Sequence, residues 1–174
     1  MIVVSNAGPL ITLGKLGQLG LLLKLYGDIL IPHEVYHEVV VNGLRLGAAD
    51  AQAVHFLIEQ GHIKIVEIAL PSPLPLWAQS IDIGEMEVII LAQRQSADLV
   101  LIDDIRTRKA ARQVGLPLKG TVGILLAAFR QRYLTLQEFE LLIQSIKAQP
   151  DLWISASLCD SALAHARQDA QKQS

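Results

Sequence analysis

Short aliphatic runs that stop abruptly at polar residues or proline constrain this chain most. Ile2-Val3-Val4 closes on Ser5-Asn6, Ile29-Leu30-Ile31 closes on Pro32, and Leu99-Val100-Leu101-Ile102 closes on Asp103-Asp104. Runs of β-branched residues and leucine without alternation belong to strands buried on both faces, as in a parallel sheet covered by helices. The spacing predicts strands at 2–4, 28–31, 62–68 and 98–102, with a short fifth at 116–118. Helices are predicted at 9–16 and 18–26, hinged near Gly17, and at 48–60, 83–95, 105–114, 121–132, 135–147 and about 155–168. Another helix opens at Pro32 and runs to about Val41. Residues 69–80 carry three prolines and read as an extended connection. Strands alternating with helices define an α/β fold, with a mainly parallel sheet and right-handed crossovers. A length of 174 residues fits one domain.

Composition narrows the function classes. With 51% apolar and 18% charged residues, the chain is not of the disordered type. Aromatics are 5%, so the core is aliphatic. The single cysteine, Cys159, excludes an internal disulfide framework and a cysteine-based zinc cluster, and fits a reducing cytoplasm. The first apolar run has no basic stretch before it, so no signal peptide is expected. No uncharged apolar stretch approaches the length of a membrane span. The mean hydropathy of +0.37 is high, and helices 9–26 are aliphatic on more than one face. These features lead to the expectation of a homodimer with the Leu-rich helices at its interface.

The net charge of −2 hides an asymmetry. Residues 1–93 hold nine carboxylates and four Lys/Arg, whereas residues 105–132 hold seven Lys/Arg and no carboxylate. This pairing suggests metal ligands beside a phosphate-binding surface, with a solvated helix face as the plain alternative.

Ligands of parallel sheets bind beyond the carboxyl ends of the strands. That rule puts Asn6, the start of the helix after Pro32, and Asp103-Asp104 along one rim. Asp103 and Asp104 suit a hard cation such as Mg²⁺, and Asp104 also suits the N-cap of the following helix. Asp82 and Glu85 have capping-box spacing, and Glu85 in the first turn also points to the rim. Glu87 lies on a different face from Glu85, so one of the two is expected to face solvent. Glu34 and Glu38 are one helical turn apart, and either reaches the rim or lies on a solvated face. His33-Glu34-Val35-Tyr36-His37 matches H-E-x-x-H, which on a helix would bind zinc with Glu34 as general base. Its position in a first helical turn, and the missing metzincin continuation, weigh against zinc hydrolysis. No G-x-S-x-G elbow, P-loop or G-x-G-x-x-G is present.

In order, IVVSNAGPLI, ILIPHEVYHEVV, DIGEMEVIILA and LVLIDDIRTRKAARQVGLPLKGTVGILL resemble the PIN-domain family, in the bacterial and archaeal branch related to VapC-like toxin nucleases. The resemblance covers about residues 1–133, leaving 134–174 as C-terminal helices. It implies a three-layer α/β/α sandwich and an acidic cluster that binds Mg²⁺ or Mn²⁺ and cleaves RNA. By position it implies metal ligation by Asn6, Glu38, Glu85 and Asp103, with Asp104 beside them in the catalytic group. Asn6 stands where the family usually has an aspartate, which removes one negative charge. Thr121 stands in a loop where it would position water or phosphate. The resemblance further implies a cytoplasmic toxin with a cognate antitoxin. Arg106, Arg108, Lys109 and Arg112, with Thr121, are the expected RNA contacts. The rival expectation is a PIN-like protein that keeps the RNA surface and has weakened chemistry.

Overall fold

The computed structural model describes residues 1–152 and 154–173. Its center is a five-stranded, all-parallel sheet in the order β3-β2-β1-β4-β5. The strands are β1 (Val3–Ser5), β2 (Ile29–Pro32), β3 (Ile63–Val66), β4 (Leu99–Leu101) and β5 (Leu118–Lys119). Both β1 and β4 are wholly buried, as their unalternating sequences require. They lie side by side in register, Val3 against Leu99 and Ser5 against Leu101.

The helices are α1 (Ala7–Lys15), α2 (Gly20–Tyr26), α3 (His33–Tyr36), α4 (Gly43–Arg45), α5 (Ala49–Glu59), α6 (Ile83–Arg94), α7 (Ile105–Gln113), α8 (Thr121–Arg130), α9 (Leu136–Ala148) and α10 (Ala156–Gln173). On one side of the sheet, α1 packs on α5 and α8, and α2 on α8. On the other, α6 crosses β1 and β2, and α7 packs on β5. Helices α9 and α10 pack on α8 as an outer pair. This is the α/β/α sandwich.

Successive crossovers leave β1 toward β2 and leave β4 toward β5. The winding direction therefore reverses between β1 and β4, and the loops after these two strands part to open a crevice at their carboxyl ends. The Asn6 N–H, donating to the Leu101 carbonyl at 2.9 Å, ties the two strand ends together at its floor.

Three details depart from the sequence expectations. The helix after Pro32 continues to Arg45, with His37–Asn42 forming a π-helical turn between α3 and α4. Part of the proline-rich connection closes into a 3₁₀ turn at Leu76–Ser80. The aliphatic faces of α1 and α2 are covered within the chain. Leu10, Leu13, Leu21 and Leu22 are buried, and none of the exposed large apolar residues among those described falls within 9–26. The dimer expectation loses its ground there, because α5 and α8 take the second face of these helices.

Candidate active site

The crevice opens into a cleft of about 820 Å³. Asn6, Glu38, Asp82, Glu85, Asp103 and Asp104 all line it. Four chain segments thus bring together the residues read from the four sequence motifs, and Asp82 joins them.

Asp103 is the most constrained of these. Its Oδ1 accepts from the Thr121 N–H at 2.7 Å and its Oδ2 from the Thr121 hydroxyl at 2.6 Å. Burial pushes its carboxyl above the usual range, and the two Thr121 bonds and the Arg108 guanidinium oppose that shift. Gly120 lets α8 approach this closely. A Cβ there would lie 2.8 Å from Asp103 Oδ1, closer than carbon and oxygen tolerate. Thr121 is fully buried with both donors on Asp103, so it orients that carboxylate. Sequence reasoning had assigned it to water or phosphate.

Asp104 caps α7. Its Oδ1 accepts from the Thr107 N–H and hydroxyl, both at 2.8 Å. Desolvation raises its carboxyl, but the Thr107 bonds and nearby Arg106 outweigh it and hold the group below the usual range. Arg108 is half-buried, donating to the Ile102 carbonyl at 2.7 Å beside Asp103. Arg106, Lys109 and Arg112 are exposed, and of these Arg106 lines the cleft.

On the β1 side, Asn6 caps α1, with its Oδ1 accepting from the Ala7 N–H at 2.8 Å. The first turn of α1 lies against Asp103, since a Cβ on Gly8 would be 3.5 Å from Asp103 Oδ2. The opposite group is Glu38 with Asp82 and Glu85. Asp82 and Glu85 form a capping box at the start of α6, in which the Asp82 N–H donates to Glu85 at 3.0 Å. Glu38 rides on the π-helical turn. As a residue it is exposed, but partial desolvation of its carboxyl, then the Glu85 and Asp82 charges, push its pKa up. Single π turns inside helices occur frequently at functional sites.

Glu87 is not solvent-facing. It is buried on α6 and accepts from the Glu34 N–H at 3.1 Å, satisfying a free donor in the first turn of α3. Glu85 is half-buried at the cleft, so neither of the two faces solvent as expected. His33 packs near Tyr36, with ring centroids 6.1 Å apart, and His37 lines a shallow hollow with Glu34 and Asn42 that adjoins the cleft and shares Glu38, Asp82 and Gly84 with it.

Sequence reasoning missed the far wall of the cleft, made by Lys15, Asp151, Leu152 and Ile154. The last three belong to the segment between α9 and α10, and no local pattern in it signals a site.

Oxygen donors from carboxylates and an amide suit a hard divalent cation. Among the described residues, no three His, Cys, Asp or Glu side chains gather closely enough to enclose one. The donor set therefore fits an ion held by one or two carboxylates, with water and substrate phosphate completing its coordination. It does not fit an all-protein cage.

In a parallel α/β/α domain the ligand site lies at such a switch point, and here oxygen donors line it. A sequence model for the PIN domain matches residues 2–168, and the chain belongs to the PIN-domain family. The match runs through the C-terminal helices, beyond the 1–133 stretch read from motifs. No curated protein matches the chain. PIN domains are generally nucleases acting on nucleic acid, usually with divalent metal ions. No helix among the described residues is long and apolar enough to cross a membrane.

Proposed function

We propose that this protein is a Mg²⁺- or Mn²⁺-dependent endoribonuclease and the toxin half of a cytoplasmic toxin–antitoxin pair. The observation that carries the reading is the lining of one switch-point cleft by Asn6, Glu38, Glu85, Asp103 and Asp104. Asp103 with Asn6 on one side, and Glu38 with Glu85 on the other, are the candidate ligands, of which one or two carboxylates would hold the ion while water and substrate phosphate complete its coordination. A bound divalent ion supplies an activated water and offsets charge on the phosphate undergoing attack. Thr121 and Arg108 favour the ionised form of Asp103 against the larger effect of its burial, and Thr121 aims the carboxylate. The Asp82–Glu85 capping box fixes Glu85, and the bond from Glu34 to Glu87 holds the helix bearing Glu38 against α6. Arg106, Lys109 and Arg112 leave one face of α7 cationic for the RNA backbone, which they contact without reading bases.

Two observations favour a second reading, a PIN-like RNA-binding protein with weakened chemistry. Asn6 supplies an uncharged donor at the end of β1, and no three acids among the described residues enclose a site. Incubation of the purified protein with single-stranded RNA in Mn²⁺, Mg²⁺ and EDTA separates the two readings. Cleavage in either metal that EDTA abolishes supports the nuclease. Binding without cleavage supports the second reading.

A further inference from the structure

One end of the cleft carries a lysine–aspartate ion pair that the metal-site reading does not use. Lys15, the last residue of α1, lines the cleft and forms an ion pair with Asp151. Beside the pair, Ile11, one helical turn before Lys15, and Leu152 and Ile154 add an apolar wall. Among the described residues lining the cleft, Lys15 and Arg106 are the Lys and Arg side chains, against Glu38, Asp82, Glu85, Asp103, Asp104 and Asp151. Asn6 caps the start of α1 and Lys15 ends it, so the two are separated by about 13 Å of helix rise. A phosphate held among the carboxylates near Asn6 is out of reach of Lys15. A neighbouring phosphate on the same strand is the anion that Lys15 is placed to meet.

The pair with Asp151 is open to water, with the two side chains 30% and 60% exposed. Such a pair contributes little to the fold and exchanges partners readily. An ammonium group is a compact point charge with three rotatable donors, and it can donate to a phosphate oxygen in place of a carboxylate oxygen.

We propose that Lys15 binds an RNA phosphate flanking the scissile one, and that Asp151 occupies this position in the free protein until the strand displaces it. The wall of Ile11, Leu152 and Ile154 receives the adjoining base. The segment between α9 and α10 thereby acts as an internal competitor that weakens RNA binding. This proposal rests on the reading of the cleft as an RNA-cleaving site.

The test is binding of a fluorescently labelled single-stranded RNA in EDTA, where no cleavage occurs, titrated across salt concentration. Lys15→Met is expected to weaken binding and to flatten the log–log salt slope by about 0.7, one single-strand phosphate contact. Lys15→Arg is expected to keep the wild-type slope. Asp151→Asn is expected to tighten binding severalfold, but to have no effect in a Lys15→Met background. Three results overturn the proposal while leaving the nuclease reading intact. The first is RNA binding by the wild type with an unchanged slope in Lys15→Met. The second is tightening by Asp151→Asn that persists without Lys15. The third is a failure of Asp151→Asn to tighten binding at all. Absence of RNA binding and of metal-dependent cleavage in the wild type overturns both.

Discussion

Thr121 grips Asp103 by both carboxylate oxygens, its N–H on one at 2.7 Å and its hydroxyl on the other at 2.6 Å. The pair joins the start of α8 to the end of β4, across a separation of eighteen residues in sequence. A carboxylate has about four acceptor positions, so two remain free for a cation or a water.

Thr121→Val keeps the shape and removes the hydroxyl. The expected cost is about 1–3 kcal/mol, since a buried acceptor loses a partner. Asp103 already lies above its ordinary value of 3.8 through burial, and the variant moves it further up. A raised carboxyl binds more protons folded than unfolded, so stability falls as pH rises from about the ordinary value through the folded one. The loss should therefore be larger at pH 7 than at pH 4. Urea unfolding of both proteins in metal-free buffer at the two pH values checks it, and equal losses would contradict the coupling.

Gly120→Ala inserts a Cβ 2.8 Å from Asp103 Oδ1 and 3.3 Å from the Arg108 guanidinium. The backbone at Gly120 has φ −104°, so the substitution adds no torsional strain and the effect is purely steric. Displacement of the Asp103 carboxylate should lower RNA cleavage about 10- to 100-fold. Steady-state cleavage rates, with the melting temperature as a control for folding, measure it.

Glu38→Gln should stabilise the metal-free protein at pH 7. Desolvation, then Glu85 and Asp82, raise Glu38 above 4.5, so its ionised form opposes folding. The sign follows as for Asp103. Below about 4.5 the group is protonated in both states and the gain disappears, and above the folded value the gain is complete. Cleavage should fall at every pH, and Mn²⁺ should raise the melting temperature less than in the wild type. Thermal melts at pH 4 and 7, with and without Mn²⁺, read all of this.

Asn6→Asp preserves the cap on α1, because aspartate accepts the Ala7 N–H equally well. It adds a charge next to the turn that packs on Asp103. Without metal the melting temperature should drop through carboxylate repulsion, and Mn²⁺ should restore it with higher affinity and faster cleavage. Calorimetric titration with Mn²⁺ detects the change, and unchanged affinity would remove Asn6 from the ion's contacts.

The strands were legible because a buried parallel strand needs an unbroken aliphatic run, and Val3-Val4 and Leu99-Val100-Leu101 leave little else to form. The cleft's first wall was legible because polar residues directly after such strands must emerge at the sheet's rim. Other features depend on tertiary packing. Glu87 stands among aliphatics on α6 and finds its partner, the Glu34 N–H, only when α3 docks there. The π turn carrying Glu38 runs through Val39-Val40-Val41, weak helix formers whose sequence does not specify a π turn. Thr121 is covered because Gly120 permits close approach. Asp151 reaches the cleft because α9 and α10 stack on α8, an arrangement that sequence spacing does not encode.

If the cleft is a nuclease site, Asp103 is the carboxylate its chemistry depends on most. Asp103→Asn keeps one oxygen to accept the Thr121 N–H, places an amide N–H that can donate to the Thr121 hydroxyl oxygen, and removes the negative charge, so it tests chemistry with little disturbance of structure. Cleavage of single-stranded RNA in Mn²⁺ should fall at least 100-fold in this variant, with RNA binding in EDTA retained and a melting temperature within a few degrees of the wild type. Wild-type cleavage that persists at full rate in Asp103→Asn would contradict the account.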